Sequence, residues 1–156
     1  MFNGFFFSSF LQFLGKLKSI NLSSSVNLIS TPDFSGVPRL EELHLAWCTN
    51  LVGLHSSIGQ LSKLKSLNLT FCKSLTNLPS LSAKMESLSS ISLHGCSKIK
   101  KIPEFKGTTK SLSQLSLGRT AIEELPPSSI ECLTALELLY LSYCCDLKCL
   151  RRNMDS

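Results

Sequence analysis

Charge is scarce in this sequence. Asp, Glu, Lys and Arg make up 17% of the 156 residues, against 43% hydrophobic residues, a balance opposite to that of a disordered chain. No stretch reaches the roughly 20 consecutive apolar residues that a membrane-spanning helix needs. The first fifteen residues, MFNGFFFSSFLQFLG, are uncharged and rich in Phe, but they offer only about ten apolar residues. No Lys or Arg precedes Lys16, so the positive region that opens a secretory signal is missing. No Cys-x-x-Cys pair occurs, which removes the commonest zinc and redox spacing. The stretch Gly107–Ser111, GTTKS, lacks the G-x-x-x-x-G-K spacing that curls backbone amides around phosphate. No Ser, His and Asp set falls at a strand end or nucleophile turn. The expectation is a non-enzymatic protein with no cofactor and no metal.

Basic residues exceed acidic ones, 16 to 11, with one concentration at Lys98, Lys100, Lys101, Lys106 and Lys110. A nucleic-acid surface would add aromatic side chains or a known base-reading module to such a cluster. Neither is present, so these lysines read as a solvated outer face, with neither nucleic acid nor membrane expected as a partner.

What the chain does have is a repeat. Units begin at Leu17, Leu40, Leu64, Leu88, Leu112 and Leu136, with steps of 23, 24, 24, 24 and 24 residues. Each opens with the pattern L-x-x-L-x-L, as in Leu40, Leu43 and Leu45 or Leu88, Ile91 and Leu93, and all eighteen such positions are Leu or Ile. In the same frame follow Ser25, Cys48, Cys72, Cys96, Thr120 and Cys144, and then a second apolar pair such as Leu51 and Leu54. These spacings do not continue as one helical stripe, and Pro32, Pro79, Pro103 and Pro126 interrupt any attempt.

The pattern fits a leucine-rich-repeat solenoid of the α/β class with about six repeats. Each L-x-L is then a short strand with its leucines inward and the residue between them outward. Stacked units pair in parallel about 4.8 Å apart, giving a concave sheet roughly 24 Å along the stack. The prolines hold the return segments extended, so long convex helices are not expected. In the fifth unit Ile122 and Leu125 come one residue early and Pro127 restores the register. Residues 1–15 read as an end cover or a segment not native to the domain, ahead of a signal peptide, 16–150 as the repeat domain and 151–156 as a short tail. Because every unit buries its leucines against a neighbour, an end without a polar capping unit predicts marginal stability and self-association.

Cys48, Cys72, Cys96 and Cys144 share one repeat position and so form a column. A reduced thiol suits a small buried site that hydrogen-bonds weakly to a turn. Disulfides along the column are disfavoured because neighbouring side chains point the same way, and a reducing compartment fits best. Cys132, Cys145 and Cys149 fall outside it. His44 and His94 lie on the exposed side of strands, and His55 stands where other units have proline.

Two outward columns follow from the same frame. One is Asn21, His44, Asn68, Ser92, Ser116 and Tyr140; the other, at the strand exits, is Trp47, Phe71, Gly95, Arg119 and Tyr143. Trp, Tyr and Arg dominate interface hot spots, so Trp47, Phe71, Arg119, Tyr143, His44, Asn68 and Tyr140 are the candidate protein-binding residues, with Gly95 leaving a dip between Phe71 and Arg119. Stacking of Trp47 on Phe71 for stability alone is the competing reading. Glu41, Glu42 and Glu137 against Lys18 and Lys65 leave the face mixed in sign.

The runs TPDFSGVPRLEEL and GCSKIKKIPEF, the turn LGRTAIEELPPSSI and the cysteine column resemble the repeat region of plant intracellular immune receptors of the TIR, nucleotide-binding and leucine-rich-repeat type, over residues 14–150. The resemblance implies a repeat region that binds pathogen effectors or other receptor domains, in the cytoplasm or nucleus, without the nucleotide-binding and TIR domains that would switch and signal. It also implies a truncated form, since the chain stops just after the sixth unit's second apolar pair. Two other readings stay open: a secreted recognition protein, marked by glycosylation at the sequons beginning at Asn21 and Asn68, and an adaptor in another complex.

Overall fold

A computed structural model describes residues 10–81, 84–102, 104–105 and 110–148. Pro103, Lys106, Cys149 and most of GTTKS lie outside these residues, as do the first nine residues of the N-terminal segment and the whole C-terminal tail.

Six three-residue strands, β1 (Ser19–Asn21), β2 (Glu42–His44), β3 (Ser66–Asn68), β4 (Ser90–Ser92), β5 (Gln114–Ser116) and β6 (Leu138–Tyr140), form one parallel sheet in sequence order. The register repeats the sequence period: Ile20 pairs with Leu43, Leu43 with Leu67, Leu67 with Ile91, Ile91 with Leu115 and Leu115 with Leu139. The strands are short because the turns on either side consume the rest of each unit. Parallel pairing follows from the solenoid path, in which the chain enters every turn from the same side.

The same backbone acceptor recurs at each strand entry. Lys18 O accepts the amides of Glu41 and Glu42, and Glu41 O, Lys65 O, Ser89 O and Ser113 O each accept the corresponding pair from the next turn, at 2.7–3.2 Å. The sheet is therefore a ladder of inter-turn bonds. A smaller ladder runs along the return segments, with parallel bridges from Ser30 to Gly53 and from Leu81 to Phe105. Among the described residues these segments carry little helix, a 3-10 turn at Ser56–Gln60 and one α-turn at Pro127–Ile130, as the prolines led one to expect.

Leu43, Leu67, Ile91 and Leu115, together with Leu45, Leu69, Leu93 and Leu117, fill one continuous core. Ile122 and Leu125 are buried as well, so their early arrival does not cost the fifth unit its inward contacts. The inward leucines of the sixth unit's L-x-L are less shielded than those of the inner turns. Leu115 is fully buried but Leu139 is 39% exposed, because an inward leucine is shielded by the turns on both of its sides and β6 has a described neighbour on one only. At the other end Leu11 is buried, and the turn that carries it packs so closely that a Cβ on Gly36 would lie 2.9 Å from the Gln12 backbone. Residues 10–15 thus cover the first turn.

The cysteine column is a second inter-turn ladder. The thiols of Cys48, Cys72, Cys96 and Cys144 each donate to a backbone carbonyl of the preceding turn, on Leu22, Leu45, Leu69 and Leu117, all at 3.1 Å. Thr120 breaks the pattern, because its hydroxyl turns to Leu117 O of its own unit at 2.7 Å. The described cysteines are all free thiols. Burial raises the pKa of Cys48 above the ordinary 9.0 and pushes Cys72 and Cys96 up to about 12.

Unfolded thiols ionise near pH 9 while those of Cys72 and Cys96 hold their protons to about 12, so stability is full below pH 9 and falls as pH rises between these values. Thiol alkylation mapped by mass spectrometry at pH 8 should label exposed Cys145 in the folded chain, and Cys72 and Cys96 only after unfolding. Leu115→Ala should cost about 2–5 kcal/mol in denaturant unfolding, and Leu139→Ala markedly less.

Candidate functional site

Each three-residue strand presents its first and third residues outward, and the residue three beyond its end turns the chain away from the sheet. That exit residue has positive φ in every turn: Ser24 at 63°, Trp47 at 63°, Phe71 at 58°, Gly95 at 76°, Arg119 at 56° and Tyr143 at 58°. A side chain in this region costs roughly 1–2 kcal/mol, yet only one of the six is glycine. The conformation is held by bonds on both sides. The Trp47 amide donates to Thr70 O of the next turn at 2.7 Å, while Trp47 O accepts the Thr49 amide at 2.9 Å, and Phe71 and Gly95 repeat the arrangement. The sequence reading took this column as exposed rings and missed its backbone; Gly95 in register with the bulky residues was the available signal.

The geometry stands the exit side chains against one another. Trp47 stacks on Phe71 with ring centroids 4.2 Å apart and planes at 25°. Phe71 meets His94 edge-on at 5.4 Å. Further along, the Arg119 guanidinium lies 4.9 Å from the centre of the Tyr143 ring, a cation–π pair. Trp47 keeps 48% and Tyr143 72% of their surfaces exposed.

The dip expected at Gly95 is not there. A Cβ on Gly95 would lie 2.3 Å from Phe71 Cδ1, so the Phe71 ring already occupies that space. The missing side chain lets the ring fold inward. Gly118 is closed in the same way: a Cβ there would lie 2.7 Å from His94 Nδ1 and 2.8 Å from Ser142 Oγ. The exit row therefore holds two blocks, exposed Trp47 on half-buried Phe71 and exposed Arg119 with Tyr143, separated by the roofed Gly95, with Gly118 closed in the column beside it.

The strand column beside it is mostly small and polar. Asn68 Oδ1 accepts from the Thr70 amide at 3.0 Å and from its hydroxyl at 2.6 Å, and that hydroxyl lies 2.8 Å from Ser92 Oγ. Asn21 Oδ1 likewise accepts from the Ser23 amide at 2.9 Å, so both sequon asparagines brace the start of an exit turn. His44 Nε2 lies 3.6 Å from Glu42 Oε2. The column ends at exposed Tyr140, beside Leu138, a residue of the first strand column that the sequence reading passed over.

Charge is organised along the sheet's entry edge. Glu41 pairs with Lys18 at 2.9 Å and Lys65 at 2.6 Å, linking three turns. Hydrogen bonds from Lys65 and then Lys18 lower its pKa to about 2. Of the charges expected to mix here, Lys18, Glu41 and Lys65 form one ion-paired ladder and Glu42 faces His44, while Arg119 stands as a cation on the exit side.

One constellation the sequence reading excluded is assembled by the fold. His55 Nδ1 lies 2.9 Å from Ser57 Oγ and 3.7 Å from Asp33 Oδ1. Both partners approach the same ring nitrogen, whereas a Ser-His-Asp relay uses opposite nitrogens. Ser57 Oγ also accepts the Phe34 amide at 2.9 Å, and His55 Nδ1 accepts the Ser57 amide at 3.2 Å. The set caps the 3-10 turn. His55 takes φ −65°, the angle of the proline it replaces, and uses the amide that proline lacks to donate to Thr31 Oγ1 at 2.8 Å. The Ser35 backbone amide holds Asp33 below its usual value. Among the described residues no group of three or more His, Cys, Asp or Glu side chains could hold a metal ion, and no helix is long and apolar enough to cross a membrane.

Register, thiol ladder and left-handed exit turns define this molecule as a leucine-rich-repeat solenoid. Over about a third of its length it is similar to plant disease resistance proteins. It is 48% identical over 50 residues to TMV resistance protein N of Nicotiana glutinosa, a match covering 32% of this chain and 4% of that protein. It is 45% identical over 53 residues to Disease resistance protein RPP4 of Arabidopsis thaliana, covering 34% and 5%, and 47% identical over 50 residues to Disease resistance protein RPV1 of Vitis rotundifolia, covering 32% and 4%. The matched stretch is thus a small part of each relative's length. No protein-family model matches the chain, and no solved structure matches it.

Gly95→Ala tests the roofed arrangement. The added methyl would displace the Phe71 ring and place Ala at positive φ, so a loss of about 1–3 kcal/mol is expected. Because Trp47 stacks on that ring, its fluorescence should change in the folded variant. Unchanged stability and emission would contradict the packing described.

Proposed function

We propose that this chain is a non-catalytic protein-recognition module of plant defence that binds its partner across the concave sheet and its exit row. The observation that carries the reading is the exposed pair of blocks, Trp47 with Phe71 and Arg119 with Tyr143, standing on a rigid parallel sheet. Large rings and a guanidinium bring much contact area with polar tips, which is the composition of interface hot spots. Their mutual stacking, together with the fixed exit turns, holds them in place before binding, so little ordering entropy is lost on association. Stacking for stability and recognition are then compatible roles of the same rings.

His44, Asn68 and Tyr140 form the neighbouring strip of this surface. Between the blocks the floor is small and hydroxyl-bearing, suited to backbone or polar groups of a partner. Similarity to disease resistance proteins supports a defence role, with a pathogen effector or another domain of an immune receptor as partner and the cytoplasm as the compartment. The free thiols fit a reducing environment. The engaged sequon asparagines weigh against a surface designed to carry sugar.

A pull-down from plant cytosol should compare the wild-type chain with a Trp47→Ala, Arg119→Ala, Tyr143→Ala variant of equal circular dichroism. Loss of a specific partner from the folded variant is the expected result. An unchanged partner set would move recognition away from the exit row.

A further inference from the structure

We propose that the flank of the solenoid just past the exit row, in its third and fourth turns, is a second binding surface that takes a short acidic segment of a protein. Lys73 lies just past Phe71, the exit residue of the third turn, and Lys98, Lys100 and Lys101 lie just past Gly95, that of the fourth. All of these lysines are exposed. Elsewhere the chain pairs lysines across turns, Lys18 and Lys65 with Glu41 and Lys148 with Glu123. Those of the flank enter no ion pair among the described residues. In the repeat register Lys100 stands beside Glu123, yet Lys148 holds that carboxylate at 3.0 Å, so the flank keeps its positive charge.

The lysines stand on fixed backbone. The Lys73 amide donates to Phe71 O at 2.9 Å and the Leu75 amide to Cys72 O at 3.1 Å. One turn on, the Ser97 amide donates to Gly95 O and the Ile99 amide to Cys96 O, both at 3.0 Å. Leu75 and Ile99 are fully buried, which pins each segment to the core beside its exposed lysines. Past them runs the return ladder, in which the Val52 amide donates to Ile29 O at 2.8 Å and the Lys148 amide to Glu123 O at 3.0 Å. The repeat register sets Lys100 in that row between Thr76 and Glu123. Val52, 48% exposed, stands in the same row two turns from Lys100, about 9.6 Å at strand spacing and the span of roughly three residues of an extended chain.

Charge and extent select the occupant. Exposed Glu123, Glu124 and Asp146 close the flank on the side of the fifth and sixth turns, while Thr49, Asn50 and Val52 bring no charge on the other. A continuous polyanion such as nucleic acid, or an anionic bilayer, would have to run over those carboxylates. A protein segment with a few carboxylates and an apolar side chain spaced from them meets the lysines and Val52 and stops short of the acids, so its charge complements the flank. The surface adjoins the exit row, but its own charge selects its ligand, and it does not depend on Trp47 being a contact.

Fluorescence anisotropy of the full chain with a labelled peptide carrying Glu and Leu at alternate positions tests this. The expected result is binding that weakens as salt rises and is lost when Gln replaces Glu in the peptide. Lys73→Glu with Lys98→Glu should weaken it at least about tenfold, with circular dichroism unchanged because both side chains are exposed. Lys16→Glu with Lys63→Glu reverses the same charge at exposed sites away from the flank and should change binding less than about twofold. Trp47→Ala should leave it intact, so this surface and the exit row are read separately. No binding of the acidic peptide, equal losses in the two lysine variants, or a preference for single-stranded DNA of equal charge or for phosphatidylserine vesicles would each overturn the proposal.

Discussion

Everything in this molecule depends on one constraint: a turn of 23 or 24 residues cannot bury its own leucines. Leu43 or Leu67 is shielded only because the turns before and after it bring their own leucines into register. The backbone enforces that register through the repeated carbonyl at each strand entry, which fixes two amides of the next turn. Hydrophobic burial and hydrogen bonding are therefore not separate contributions here. Each turn supplies an apolar side to its neighbour and a polar ladder to the same neighbour, and both are satisfied by a single translation along the stack.

The same translation turns single residues into columns, and columns have properties that one residue lacks. Four thiols become a ladder of weak donors, each reaching a carbonyl one turn back, and burial raises the pKa of Cys48, Cys72 and Cys96. Trp47 and Phe71, unremarkable as isolated surface rings, become a stack because their turns lie one strand spacing apart. Glu41 is neutralised from both sides by lysines of the flanking turns. Where the column changes chemistry, the local packing changes with it: glycine at position 95 lets Phe71 lean inward, and Thr120 satisfies a carbonyl of its own turn instead of its neighbour's.

Function in such a design belongs to the outward surface and the exit turns, since the inward positions are committed to stacking. The left-handed exit residue illustrates how a costly conformation becomes useful. Bonds on either side of it are required for the chain to leave the sheet, and they fix the direction in which its side chain leaves. A bulky residue placed there is strained, oriented and exposed together.

The sequence by itself determined the fold class, the six strands, the inward leucines, the cysteine column and the scarcity of helix among the described residues, because each depends on a period of 23 or 24 residues that can be read along the chain. Only the tertiary structure decided the left-handed φ of the exit column, the roofing of Gly95 and Gly118, the meeting of Asp33, His55 and Ser57, and the exposure of Leu139. Each of these depends on what an adjacent turn places within a few ångströms. A repeat reports where a residue recurs, whereas contact between unlike residues of neighbouring turns, or its loss at the last strand, is a property of the packed stack.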